Sequence, residues 1–277
     1  MNRNSRFPFR LKRNVARARF SAMVCACALL PAWAAPPDAR KIMENVYQQN
    51  DTPATYMRAA FQVFDKEGHS KKKEFSYRKL ETPEGSKTLV VFTAPEEVRG
   101  VALLSLNQRG AAVRQYMYIP ATQRVRSVVA QERSARFIGT DFTFEDIAGR
   151  VLDDFSYRLI AENEMIDGHK TYKVEAVPVD PSRSQYRFIY YWVAQDAPVI
   201  LHAELYDTQG REVRVLHASQ LKRVAGVWGA RRTEMSSLLD GTRTVLVIDD
   251  VKLNIQMDER IFTPQGLEAL QGAVSDK

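Results

Sequence analysis

The sequence predicts a mainly β fold of the α+β class, a long antiparallel sheet that curls on itself under a few short helices. Three observations point there. From Thr55 onward the pattern is one of strands of roughly eight to thirteen residues punctuated by turn signals, each turn short enough for a hairpin and too short for a helical crossover. Several strands are apolar on both faces, so something dry covers both sides of much of the sheet. Only three stretches carry helix signals, too few to cover a sheet of about ten to twelve strands, which leaves curling over an apolar hollow as the way to hide both faces.

The 277 residues carry 40 Lys plus Arg against 33 Asp plus Glu, a net charge of +7. Seven of the bases (Arg3, Arg6, Arg10, Lys12, Arg13, Arg17 and Arg19) lie in the first 34 residues, which hold no acid. The remainder is formally neutral, which excludes a net electrostatic attraction to nucleic acid. That first segment reads as a secretory signal: a basic stretch, an apolar run from Phe20 to Leu30, then Ala32-Trp33-Ala34 ahead of a cleavage site. Residues 1–34 are therefore expected to be removed and 35–277 to form one exported domain with no membrane-spanning segment. Cys25 and Cys27 fall in the signal, so the mature chain holds no thiol for a disulfide, zinc site or nucleophile. A lipid-anchored Cys27 is the competing reading of the same segment.

A first helix begins at Asp38, with Ile42, Met43, Val46 and Tyr47 at helical spacing, and ends near Asp51 and Pro53. Strands follow, punctuated by Asp65-Lys66-Glu67-Gly68, Thr82-Pro83-Glu84-Gly85, Gln108-Arg109-Gly110, Asp167-Gly168, Asp207-Thr208-Gln209-Gly210, Ala225-Gly226 and Asp240-Gly241. From about Ser134 to Leu152 the period of two is lost, and a short helix with Thr143 as cap and Asp146 three residues on fits better. A last helix starts at Pro264.

Thr55 to Phe64 alternates, with Met57, Phe61 and Val63 on one face, whereas Tyr186–Val193 is apolar on both. The expected lining of the hollow is Met57, Phe61, Phe75, Phe92, Leu103, Met117, Phe188, Tyr190 and Trp192, each face being a choice that a one-residue slip would invert. An interior filled by its own side chains is the alternative.

The segment Phe137-Ile138-Gly139-Thr140-Asp141-Phe142-Thr143-Phe144-Glu145-Asp146-Ile147 resembles the Gly-Ser/Thr-Asp-Phe-x-Tyr/Phe-Glu-Asp-Leu/Ile motif of the LolA-like outer membrane lipoprotein-sorting protein family. Tyr118-Ile119-Pro120, Tyr191-Trp192-Val193, Gly226-Val227-Trp228 and Ile261-Phe262-Thr263-Pro264 extend the resemblance along the chain. It implies an unclosed, strongly curved sheet, an incomplete β-barrel whose concave apolar face is lidded by helices. It also implies a periplasmic home, lipid or lipoprotein acyl chains as cargo, and an inner-membrane exporter of the resistance-nodulation-division (RND) type or an outer-membrane acceptor as partner. Phe137, Phe142, Phe144, Glu145 and Asp146 then form the lid, its carboxylates latching onto Arg133 or Arg136, with a static plug as the alternative.

His69, His169, His202 and His217 show no metal-binding spacing, and there is no Gly-x-Ser-x-Gly elbow and no phosphate-binding loop. No metal, cofactor or catalytic residue is expected; the function is that of a carrier, or of a lipid sensor using the same hollow. The basic cluster Lys66, Lys71, Lys72, Lys73, Arg78 and Lys79 reads as a solvated sheet edge or as a docking patch.

Overall fold

The computed structural model describes residues 37–49 and 52–274. The basic leader, its apolar run and the Ala32-Trp33-Ala34 triplet lie outside the described residues. Among the described residues no helix is long and apolar enough to cross a membrane.

The strands are β1 (Ala54–Phe64), β2 (Ser70–Thr82), β3 (Gly85–Ala94), β4 (Ala102–Gln108), β5 (Arg114–Ile119), β6 (Arg124–Ser127), β7 (Phe155–Ile166), β8 (His169–Pro178), β9 (Tyr186–Ala194), β10 (Ile200–Asp207), β11 (Glu212–Val224), β12 (Val227–Ser237) and β13 (Thr242–Leu253). All pair antiparallel in one sheet, ordered 6-5-4-3-2-1-13-12-11-10-9-8-7. The order does not close on itself: β6 and β7 are free edges, and the sheet is a curved half-barrel. The predicted turns fall where expected, because Gly or Asp supplies the left-handed backbone they need; Gly68, Gly110, Gly168, Gly210, Gly226 and Gly241 all have positive φ.

Gly85 is the most constrained of the turn glycines. Its φ is +146°, and a Cβ there would lie 2.0 Å from the Asn107 carbonyl oxygen on β4. Only glycine lets β3 leave its turn this close to its neighbour.

Helix α1 (Ala39–Gln49) starts as predicted, the Asp38 carboxylate accepting from the Arg40 N–H at 2.9 Å, and it buries Ile42, Met43 and Val46 against the concave side near β7. Helix α2 (Phe144–Ala148) carries the predicted capping box: Thr143 Oγ1 accepts from the Asp146 N–H at 3.2 Å and Asp146 Oδ2 from the Thr143 N–H at 2.9 Å. Helix α3 (Pro264–Val274) lies across the convex face, where Phe262 and Leu267 cover Leu89, Val91, Ala102, Leu104 and Tyr118. This second core explains why β3 and β4 are apolar on both sides: each faces the main core inward and α3 outward.

Strand β2 lies between β1 and β3, so the basic cluster is not on a sheet edge. Its members point to opposite faces. Arg78 packs over Tyr56 with its guanidinium 5.2 Å from the ring, and Lys73 reaches over the concave face to the Ile138 carbonyl.

Candidate functional site

The connection from β6 to β7 has to travel from one free edge of the sheet to the other. It does so across the concave face, and the family motif is the middle of that strap. The turn is made by Ile138 and Gly139, both at positive φ, and is closed by the Phe137 N–H donating to the Phe142 carbonyl at 2.8 Å. Asp141 fixes it to the sheet. Its carboxylate, buried, accepts from the hydroxyls of Thr242 and Thr244 on β13 at 2.5 and 2.6 Å and pairs with Arg136 at 2.7 Å. Burial, then the positive charges of Lys71 and Arg136, push the Lys73 ammonium below the usual lysine range, consistent with its place over the strap.

The strap's aromatics continue a ladder begun by the sheet. Phe61 and Phe75 stack at 4.6 Å between centroids, Phe75 meets Phe92 at 5.7 Å, Phe92 meets Phe137 at 5.6 Å, and Phe137 meets Phe144 edge-on at 5.4 Å; Phe142 joins Phe61 at 5.5 Å. The structure thus brings Phe61, Phe75, Phe92, Leu103, Met117, Phe137, Phe142 and Phe144 into one core on the concave face, all buried. This half of the expected hollow is filled by the protein's own side chains.

Phe188, Tyr190 and Trp192 are not in that core. They lie on the convex face with Tyr206 and His202: Phe188 stacks on Tyr206 at 4.5 Å, Trp192 meets His202 at 4.8 Å, and Lys173 sits 4.2 Å over the Trp192 ring. The concave face of β9 is Ile189, Tyr191 and Val193 instead. The expected lining is corrected by one residue on this strand. A register shift against β10 between Tyr206 and Asp207 brings Tyr186 into the core as well.

The proposed latch partners are also corrected. Asp146 pairs with Arg150 at 2.8 Å and accepts from the Tyr186 hydroxyl at 3.1 Å, while Glu145 accepts from Ser184 Oγ at 2.6 Å and from the Gln185 N–H at 2.9 Å. Arg136 belongs to Asp141, and Arg133 donates to the Val113 carbonyl at 2.8 Å. With burial opposing it and Tyr191, Asp146, Tyr186 and Glu145 favouring it, the Arg150 charge is held firmly on. The motif's carboxylates tie the strap to β9 and the approach to it.

Beside the filled half lies a cleft of about 470 Å³, within the range of roughly 300–1,000 Å³ usual for ligand pockets. Tyr77, Thr88 and Asn107 from β2 to β4, Met57, Ile248, Val251 and Leu253 from β1 and β13, and Val224 and Val227 from the β11–β12 hairpin line it. Tyr47 and Gln49 of α1 and Ile147 and Ala148 of α2 close its sides. Burial raises the phenol pKa of both Tyr47 and Tyr77, so they face the cleft as neutral hydrogen-bonding groups. Asn107 is buried; its amide donates to the Ala148 carbonyl at 2.8 Å, but among the described residues its Oδ1 has no partner. Of the expected lining residues only Met57 borders this cleft. Sequence reasoning placed the Ala225-Gly226 turn but missed that the β11–β12 hairpin walls the cleft; the signal was Val224-Ala225-Gly226-Val227, a turn with apolar residues on both sides where exposed tips are normally polar.

Asp65, Glu67 and His69 gather at the β1–β2 turn, all exposed, and Asp65 Oδ1 already accepts from the Glu67 and His69 N–H groups of that turn.

Three solved structures share this architecture. One is a protein domain named for outer membrane lipoprotein sorting, from Vibrio parahaemolyticus, with 22% identity, a TM-score of 0.78, and coverage of 83% of this chain and 98% of that one. A DUF1329 family protein from Desulfovibrio piger is 23% identical over 83% and 97% of the chains, at a TM-score of 0.79. A LolA superfamily protein from Nitrosomonas europaea is 21% identical over 82% and 98%, at 0.68. A family model described as "Uncharacterized protein" matches residues 84–269, more than half of the chain. The chain belongs to that family, and its fold is LolA-like. No curated protein matches it in sequence. In this LolA-like fold the matched residues begin just before β3 and run through the strap to α3, so they include the motif and the β11–β12 wall of the cleft.

Proposed function

We propose that the protein is an exported periplasmic carrier that holds a lipid or an acylated, lipoprotein-type cargo in the cleft beside the strap. It passes this cargo between membrane partners of the envelope, an RND-type exporter or an outer-membrane acceptor, and it is not an enzyme. The observation that carries this reading is the cleft of about 470 Å³ with an apolar floor of Met57, Ile248, Val251 and Leu253, left open beside a concave-face core filled by the phenylalanine ladder. Exposing an acyl chain of sixteen carbons to water costs on the order of 12 kcal/mol, so an aqueous crossing needs a dry container. The sequence has no phosphate-binding loop, so loading and release depend on partners with different affinities.

Mass spectrometry of organic extracts from protein purified from its native envelope tests the reading. A defined lipid or acylated fragment is expected with the unaltered protein, and its loss on Met57→Trp, which fills the floor. A lipid-free extract, together with failure of the stripped protein to take up a labelled acyl chain, would overturn it.

A further inference from the structure

The cleft is electrostatically one-sided. Among the described residues its lining includes Lys79, Arg150, Lys222 and Arg231 and no Asp or Glu. The smaller cavity of about 240 Å³ that shares Arg150 is lined by four arginines and four carboxylates, so an unbalanced lining is not general to this molecule.

Two of the four cations are already neutralised, Arg150 by Asp146 at 2.8 Å and Lys79 by Glu81. The other two are not. Among the described residues neither Lys222 nor Arg231 has a carboxylate within 4.0 Å. Arg231, half-buried, donates only to main-chain oxygens, that of Ile248 at 2.8 Å and that of Asp249. Lys222 on β11 pairs in register with Gly229 on β12, which places Arg231, two residues on, on the same face as its diagonal neighbour. Two positive side chains thus share one face of the β11–β12 pair at the rim of an apolar floor, Arg231 leaning toward β13 and Lys222 on β11, and among the described residues the cleft lining offers neither of them an anion.

We propose that the cargo is an acidic amphiphile: its hydrocarbon lies on Met57, Ile248 and Val251, and its phosphate or carboxylate head sits between Lys222 and Arg231. This rests on the carrier reading and deepens it by naming the cargo class. A diacylglyceryl protein anchor, which has no anionic head, does not use this pair.

The test is calorimetric titration of the purified protein with dihexanoyl phosphatidylglycerol, uncharged dihexanoylglycerol, hexanoate and inorganic phosphate, repeated on Lys222→Gln and on Lys222→Gln with Arg231→Gln. Phosphatidylglycerol is expected to bind at least about tenfold more tightly than dihexanoylglycerol, the factor that one charge-assisted contact supplies. The double variant should lose that preference while keeping its affinity for dihexanoylglycerol. Hexanoate against phosphatidylglycerol separates a carboxylate from a phosphate head, and preferential binding of either over dihexanoylglycerol supports the proposal. Equal affinity for phosphatidylglycerol and dihexanoylglycerol, unchanged by the substitutions, would overturn it and leave the carrier reading standing. Phosphate binding as tightly as phosphatidylglycerol would also overturn it, since the chain would then contribute nothing. Failure of every acyl compound to bind would overturn both. Lys222 is exposed and makes no ion pair among the described residues, so its single substitution preserves the fold and keeps the test decisive if Arg231→Gln does not.

Discussion

The carboxylate of Asp141 accepts a hydrogen bond from the Thr244 hydroxyl at 2.6 Å across 103 positions of sequence. Thr244 returns the contact by accepting from the Asp141 N–H at 2.9 Å, so one residue of the strap is bound through both main chain and side chain to the middle of the sheet. Asp141→Asn keeps the shape but removes the charge opposite Arg136 and forces an amide against two hydroxyl donors. We expect a loss of about 2–3 kcal/mol, below the full cost of breaking a buried pair because Arg136 is about a third exposed. Urea denaturation measures it, and a change within error would show that the ion pair does not secure the strap.

Phe137 has no exposed surface and touches both Phe92 and Phe144. Phe137→Ala opens a cavity in the ladder and is expected to cost about 3–5 kcal/mol. A carrier whose strap swung away from the sheet would bury Phe137 only part of the time and lose much less, so the size of the effect separates a plug from a moving lid.

Gly85→Ala puts a methyl group where the Asn107 carbonyl stands and requires a residue with a side chain at φ +146°. About 3 kcal/mol of destabilisation is expected, read as a lowered thermal midpoint. Gly229→Ala, where an added Cβ meets nothing within 4 Å, is the matched control and should leave the midpoint in place.

His202 sits between Trp192 and His217, with Glu204 at 3.8 Å. Burial lowers its pKa from the ordinary 6.5, and His217 and Lys173 add to the shift against the pull of Glu204. Between the folded value and 6.5 the unfolded chain holds more protons, so stability falls as pH drops through this window and levels off below it. His202→Gln should flatten the stability curve between pH 7.5 and 5.5 by less than one proton's worth of slope. An unchanged curve would mean that the imidazole is solvated.

The hairpin order, the Thr143–Asp146 cap and the aromatic members of the motif were legible because each is a local signal, a turn residue or a spacing that the chain satisfies by itself. The face of β9 was not. Phe188, Tyr190 and Trp192 are as apolar as Ile189, Tyr191 and Val193, so the strand alone offers no choice between them. Its neighbours do: Tyr190 pairs with Glu175 and Glu204, and Trp192 with Lys173 and His202, whereas Tyr191 pairs with Val174 and Ala203. The wet side is marked on β8 and β10, and reading it requires knowing the pairing. Ile189→Lys should therefore unfold the protein and Tyr190→Lys leave it folded, as circular dichroism would report; the reverse result would put the faces back.

The unclosed sheet leaves two rows of unsatisfied main-chain groups facing water, an invitation to polymerise by strand addition. The chain blunts both. Strand β6 is only four residues long and carries Arg124 and Arg126, and β7 breaks its register twice, between Leu159 and Ala161 and between Glu162 and Glu164, with Asn163 left-handed at the second break. A short cationic border and a kinked acidic one make poor templates for a flat partner, so the sheet can keep its mouth unsealed without inviting strand addition at either side.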